Sequence, residues 1–176
     1  MGAPELPRVR CDVRVRAAVP RVWDLVTDIH LPARLSPELR RVAWLDGALA
    51  PAVGARFEEH NRHPLLGEWR TVSHVVRLDE HRVFAWAVLD EDGRFGEPVR
   101  DPGKALASWC YELDADGDGT RLRQTAVLGP GRNGVTLAVE HRPERKEEIV
   151  ARRLDELRTG IESTLRGIRE IAERSA

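Results

Sequence analysis

From Arg8 to Arg16 the chain alternates, with Val9, Cys11, Val13 and Val15 set between Arg8, Arg10, Asp12, Arg14 and Arg16. A period of two predicts a strand with one buried and one wet face. The period then changes. Pro20 opens a short helix running to Asp28, with Val22, Trp23, Leu25, Val26 and Ile29 on its apolar side. Proline suits a first helical turn because the N–H it lacks has no partner there. His30 to Pro37, with Pro32 and Ser36-Pro37, reads as a second short helix or turn, and Asp28 as a cap for it.

Strand patterns follow at Leu39 to Leu45, Ala55 to Arg62, Glu68 to Leu78, Arg82 to Leu89, Ser108 to Leu113 and Thr120 to Leu128. Their mostly short connections predict antiparallel neighbours, with hairpin turns at Asp46-Gly47, at Asp79-Glu80-His81 and from Asp114 to Gly119. Two longer connections, Asp90 to Ala107 and Gly129 to Arg142, are expected to rim a pocket. From Pro143 onward Val150, Leu154, Leu157, Ile161, Leu165, Ile168 and Ala172 recur at helical spacing. Glu148/Arg152, Glu162/Arg166 and Glu170/Arg174 would pair along the outer face.

So long an apolar stripe needs a large partner, and the only one upstream is the sheet. The prediction is an α+β fold: a curved antiparallel seven-stranded sheet wrapped around a long C-terminal helix, with two short helices after the first strand. A wrapped helix readily leaves a cavity beside it. Gly160 and Gly167, on the flank of the stripe, imply either close approach of a strand or room for a ligand. Residues 1–7 are expected as a flexible tail and 8–176 as one domain, since a 176-residue chain suits a single core.

Strand alternation puts Trp69, Thr71, Ser73 and Val75 on one face. By the same rule Phe57, Glu59 and Asn61 align, as do Phe84, Trp86 and Val88, then Trp109, Tyr111 and Leu113, then Leu122, Gln124 and Ala126. The facing helix offers Leu157, Ile161 and Thr164. Together these predict an aromatic concavity carrying a few polar groups, suited to a ring-shaped or amphipathic ligand. A carboxylate in such a place has its pKa raised, which makes Glu59 a candidate general acid or base and Tyr111 a candidate donor to a carbonyl. A one-residue change of register would instead turn Glu59 outward.

Composition removes several classes. A formal net charge of -1 with 32% charged residues lacks the excess basicity of a nucleic-acid binder. No stretch is long and apolar enough to span a membrane, and Met1 to Pro7 has no signal-peptide character, so a cytoplasmic protein is expected. Cys11 and Cys110 have neither disulfide-framework nor zinc spacing and read as small buried thiols. His60 and His63 read as surface residues with no third metal ligand nearby. Asp114-Ala-Asp116-Gly-Asp118-Gly resembles the start of a calcium loop, but Thr125 stands where a bidentate Glu is required. Gly129-Pro-Gly131-Arg-Asn-Gly134 fits a dinucleotide pattern without its strand context and reads as a flexible loop. Neither metal nor cofactor is implied.

Several segments resemble the helix-grip superfamily, the START or Bet v1-like (SRPBCC) fold, and within it the bacterial polyketide cyclase/dehydrase and lipid-transport group. They are Ala18-Val-Pro-Arg-Val-Trp23-Asp-Leu-Val-Thr-Asp28-Ile, Leu35-Ser-Pro37-Glu-Leu, Val53-Gly54-Ala-Arg-Phe57, Asn61-Arg62, Glu68-Trp69-Arg-Thr71-Val-Ser73-His-Val75 and Trp109-Cys-Tyr111-Glu-Leu113. The likeness runs from Arg8 to Arg174. It implies a small hydrophobic, aromatic or polyketide-like ligand in an internal cavity, with cyclisation or dehydration assisted by acid–base groups. The resemblance leaves open a non-catalytic carrier or sensor, and a protein-interaction module that uses the outer surface. Either a monomer or a homodimer is compatible with it.

Overall fold

β1 (Arg8–Val15) leads into α1 (Val19–Val26) and α2 (Pro32–Leu35). The chain then runs back and forth through β2 (Leu39–Trp44), β3 (Arg56–His63), β4 (Gly67–Asp79), β5 (Val83–Leu89), β6 (Ala107–Asp116) and β7 (Gly119–Leu128). α3 (Gly134–His141) and the 29-residue α4 (Lys146–Arg174) complete it. The computed structural model describes residues 5–174. Of the expected N-terminal tail, residues 1–4 lie outside that range, while the Pro7 carbonyl accepts the Leu128 N–H at 2.9 Å.

The seven strands form one antiparallel sheet in the order β1-β7-β6-β5-β4-β3-β2. β1 therefore pairs with the last strand rather than with its neighbour in sequence, which places α1 and α2 across one end of the concave face. Leu157, Ile161, Leu165, Ile168 and Ala172 of α4 are buried, and the helix packs chiefly on β1, with smaller contacts to α1, α2, α3 and β7. Val150 and Leu154, at the start of the same stripe, are only half-buried, because α4 projects there beyond its support.

Irregular positions decide which side chains point inward. β4 carries a bulge at Val76, which is 44% exposed, so that Arg77 stays outside and Leu78 turns in opposite Phe84. Asp46 and Gly47 both have positive φ, 55° and 76°, and form a tight turn; the β2–β3 connection nevertheless closes only where the Leu45 N–H meets the Arg56 carbonyl at 2.9 Å. α1 stops at Val26, two residues before the expected end, and the Thr27 hydroxyl donates to the Trp23 carbonyl at 2.8 Å. Asp28 caps no helix. It accepts the His30 N–H at 2.9 Å in a local turn.

The segment expected as a flexible loop after Gly129 is in part a helix. Asn133 accepts from the Val135 and Thr136 N–H groups at 2.9 and 3.1 Å, and the Thr136 hydroxyl accepts the Asn133 N–H at 3.4 Å, a reciprocal cap that starts α3. The loop before it is close-packed rather than free: a Cβ on Gly131 would lie 2.1 Å from the Lys104 carbonyl oxygen. The 90–107 connection is equally fixed. Buried Asp90 accepts from the Arg94 and Phe95 N–H groups at 2.8 and 2.7 Å. Glu91 takes Arg56 at 2.6 Å and His74 at 3.1 Å on the convex face.

Other surface expectations are adjusted. The acidic hairpin after β6 spends its carboxylates on arginine: Asp118 on Arg14 at 2.8 Å, Asp116 on Arg121 at 3.2 Å, and Asp114 on Arg123. Along α4, Arg152 reaches Glu156 at 3.5 Å, while Glu148 pairs with Arg145 across the start of the helix. Both cysteines are half-buried rather than buried, and burial pushes both thiols up, that of Cys110 to about 11.

The two helix glycines do different things. A Cβ on Gly167 would come within 2.5 Å of Leu35 Cδ2, so this glycine lets α2 close onto α4. A Cβ on Gly160 would meet nothing within 4 Å. Gly160→Ala is therefore expected to stabilise the fold by about 0.5–1 kcal/mol through helix propensity. Gly167→Ala is expected to destabilise it by about 1–3 kcal/mol through overpacking, with much of that loss recovered in combination with Leu35→Ala. Urea melts of the four proteins check this, and equal effects at the two glycines would contradict the packing account.

Candidate functional site

Between α4 and the concave face of β3–β7 lies a cavity of about 370 Å³. That is near the lower end of the range for small-molecule sites. Most residues expected to line it do so; Ser73, Val75, Leu113 and Leu122 are instead buried in the core and do not border the space, with the Ser73 hydroxyl turned to Glu59. Gly160 opens onto the same space.

Trp86 on β5 is the hub of the aromatic wall. Its ring centroid lies 5.0 Å from Phe84, 5.7 Å from Tyr111 and 6.2 Å from Phe57. It stacks on Trp109 at 6.4 Å with planes 10° apart. These residues meet because the register pairs Phe84 with Tyr111 and Trp86 with Trp109 across β5 and β6. Trp69 stands further out, with the Arg94 guanidinium 5.9 Å from its ring.

Glu59 points inward, which decides between the two orientations its strand allowed. β3 pairs it with Val42 on one side and Thr71 on the other. Its Oε2 accepts from Ser73 Oγ at 2.5 Å and from Thr71 Oγ1 at 3.4 Å. What surface it retains faces the cavity. Burial drives its pKa up to about 7, and the two hydroxyl hydrogen bonds, which favour the charged form, offset only part of that. The group therefore exchanges its proton near neutrality. Burial also pushes the Tyr111 phenol upward, so it stays protonated and serves as a donor.

The two connections expected to rim the cavity do so, but the polar bridge across its mouth was not foreseen from the sequence. His63 shares the inward parity of Phe57, Glu59 and Asn61, whereas His60 points out toward Arg41 and Glu58. The ring of His63 is only 13% exposed, contrary to the surface placement expected. Its Nδ1 accepts the Leu65 and Leu66 N–H groups at 3.1 and 3.3 Å, so in the neutral ring the proton sits on Nε2, which donates to Glu156 at 3.1 Å. Arg153 joins Glu156 at 3.1 Å to Glu38 at 3.0 Å. This bridge ties α4 to β3 and to the start of β2 at the cavity rim. Phe95 from the 90–107 loop and Val135 and Ala138 from α3 complete the rim. Counting parity to the end of β3 would have found His63, and the Asn133-x-x-Thr136 box would have found α3.

Among the described residues no cluster of His, Cys, Asp or Glu is arranged to hold a metal ion. No helix among them is long and apolar enough to cross a membrane. The arrangement offers a proton acceptor or donor at Glu59, a hydrogen-bond donor at Tyr111, and an aromatic wall for a ring to lie against.

A family model described as polyketide cyclase / dehydrase and lipid transport matches residues 7–162. The Polyketide_cyc-like protein Cgl2372 from Corynebacterium glutamicum has the same fold. It is 26% identical, with 97% of this chain and 94% of that chain covered and a TM-score of 0.65. The di-domain ARO/CYC StfQ from the steffimycin biosynthetic pathway is 11% identical, with 97% of this chain and 52% of that one covered and a TM-score of 0.71. The chain thus spans about half of StfQ. Ara h 8.0201 is 9% identical, with 95% and 97% covered and a TM-score of 0.54. No protein of curated function matches the sequence. The family match extends over the whole sheet and more than half of the closing helix, and the chain belongs to the polyketide cyclase/dehydrase and lipid transport family, on a ligand-binding helix-grip fold.

Proposed function

We propose that the cavity binds a small aromatic or polyketide-like molecule and that Glu59 assists its cyclisation or dehydration by moving a proton. The observation that carries this is the Glu59 carboxyl, poised near neutrality beside the aromatic wall in the interior of the pocket, while Glu38 and Glu156 stand at its mouth. A base there can take a proton from carbon beside a ketone, while the Tyr111 hydroxyl donates a hydrogen bond to the ketone oxygen and stabilises the enolate that forms. Such an enolate leads to ring closure on a second carbonyl or to loss of a β-hydroxyl. StfQ is described as an ARO/CYC protein of a biosynthetic pathway, which fits this reading. A non-catalytic carrier is the second reading, and the mostly apolar lining favours it.

Native mass spectrometry of protein expressed in its own host identifies the bound molecule and shows whether it leaves altered. With a polyketone substrate, Glu59→Gln is expected to lower kcat by about 10²–10⁴-fold, and Tyr111→Phe to lower it by about 10²-fold or more. The wild-type kcat/KM should rise with pH and level off above about 7, where Glu59 is ionised. Unchanged turnover in both variants rejects the catalytic role, and a ligand released intact supports the carrier.

The same carboxyl makes stability depend on pH in the opposite sense. Its folded pKa lies above the ordinary value of 4.5, so between pH 4.5 and about 7 the folded state holds more protons than the unfolded state, and stability falls as pH rises through that window. The full loss is of the order of 3 kcal/mol. Denaturant melts at several pH values should show it in wild type and not in Glu59→Gln. A variant that keeps the full slope would place its origin elsewhere.

A further inference from the structure

Two polar atoms of the cavity wall have no hydrogen-bond partner among the described residues: the indole Nε1 of Trp86 and the amide oxygen Oε1 of Gln124. Both side chains are more than nine-tenths buried, at 7% and 5% exposure. Native interiors rarely leave such atoms unpaired, because each has lost its water without gaining a replacement. Both residues line the same cavity, and their unpaired atoms are of opposite kind, one a donor and one an acceptor.

Their placement is set by the sheet. Gln124 on β7 pairs directly with Tyr111 on β6, and Trp86 on β5 lies against the other side of the same tyrosine, 5.7 Å between ring centroids. The two unpaired atoms thus come from the strands that flank Tyr111. Cations bordering the cavity stand at its mouth, and Arg153 is engaged there by Glu38 and Glu156. The interior instead holds Glu59, so an anion entering this end would meet a carboxyl and no counter-charge.

We infer that Trp86 and Gln124 are a specificity-determining pair that reads an uncharged hydroxyl, or a hydroxyl beside a carbonyl, on the ring of the bound ligand. The indole N–H donates to the ligand oxygen and the amide oxygen accepts the ligand O–H. A hydrocarbon of the same shape leaves both protein atoms unpaired, and a carboxylate brings a charge with no partner. The inference rests on the cavity being the ligand site and adds which polar edge it selects.

Titrations of wild type, Trp86→Phe and Gln124→Leu with 2-naphthol, naphthalene and 2-naphthoate, followed by ligand-observed NMR, test it. Wild type is expected to bind 2-naphthol about tenfold or more tightly than either analogue, a margin that one satisfied buried hydrogen bond supplies. Each substitution should shrink the preference for 2-naphthol over naphthalene severalfold, a ratio in which any general loss of apolar contact cancels, while denaturant melts report an intact fold. Equal wild-type affinity for 2-naphthol and naphthalene overturns the inference while leaving the cavity as the ligand site. So does a preference that survives both substitutions, or tighter binding of 2-naphthoate. If none of the three probes binds the wild-type protein, both the inference and the ligand-site reading fall.

Discussion

The structure depends on a mismatch of extent between one helix and one sheet. α4 can bury a single stripe, Leu157, Ile161, Leu165 and Ile168 among it, and it packs chiefly along β1 at one edge of the sheet. The concave faces of β3 to β6 then have too little helix above them, and α1, α2 and α3 close the ends without filling the middle. A cavity is the result of that geometry. Gly167 tightens one end by letting Leu35 in, and Gly160 leaves the wall open where the cavity lies.

Charge is distributed to suit this architecture. The convex face and the loops are held by arginine–carboxylate pairs, among them Arg56 with Glu91 and Arg70 with Asp92. These pairs fix the 90–107 connection without contributing anything to the cavity. Such half-exposed pairs are each worth little, and several arranged around one loop serve chiefly to set its path. Inside, one carboxyl faces aromatic rings with only two hydroxyls to support it. The cost of that burial is also what tunes Glu59 toward proton transfer, so its contribution to stability and its chemical use oppose one another.

Much of the lining was legible because a strand reports its two faces through parity. Phe57, Glu59 and Asn61, or Phe84 and Trp86, need no knowledge of neighbours to be placed on one side. The reading erred where parity was not carried far enough or where a local signal was subtle. His63 lies one step beyond the last inward residue counted on β3, and Asn133 sat within a glycine-rich stretch that suggested mobility. Ser73 has the right parity but lies behind Glu59, since two inward residues on neighbouring strands compete for the same depth. The hydroxyl consequently serves the carboxylate and not the cavity.

By itself the sequence determined the order of elements, the antiparallel sheet, the apolar stripe of α4 and the inward set of most strands, because each of these is set by periods and turns within a few residues. Tertiary structure alone decided that Glu59 faces inward and is desolvated, that Trp86 and Gln124 keep an unpaired donor and acceptor beside Tyr111, and that His63, Arg153, Glu156 and Glu38 meet at the mouth. Those properties depend on strand register and on how far apart the helix and sheet stand. Both are set by contacts between residues a hundred or so positions apart, such as Arg153 with Glu38 at a separation of 115.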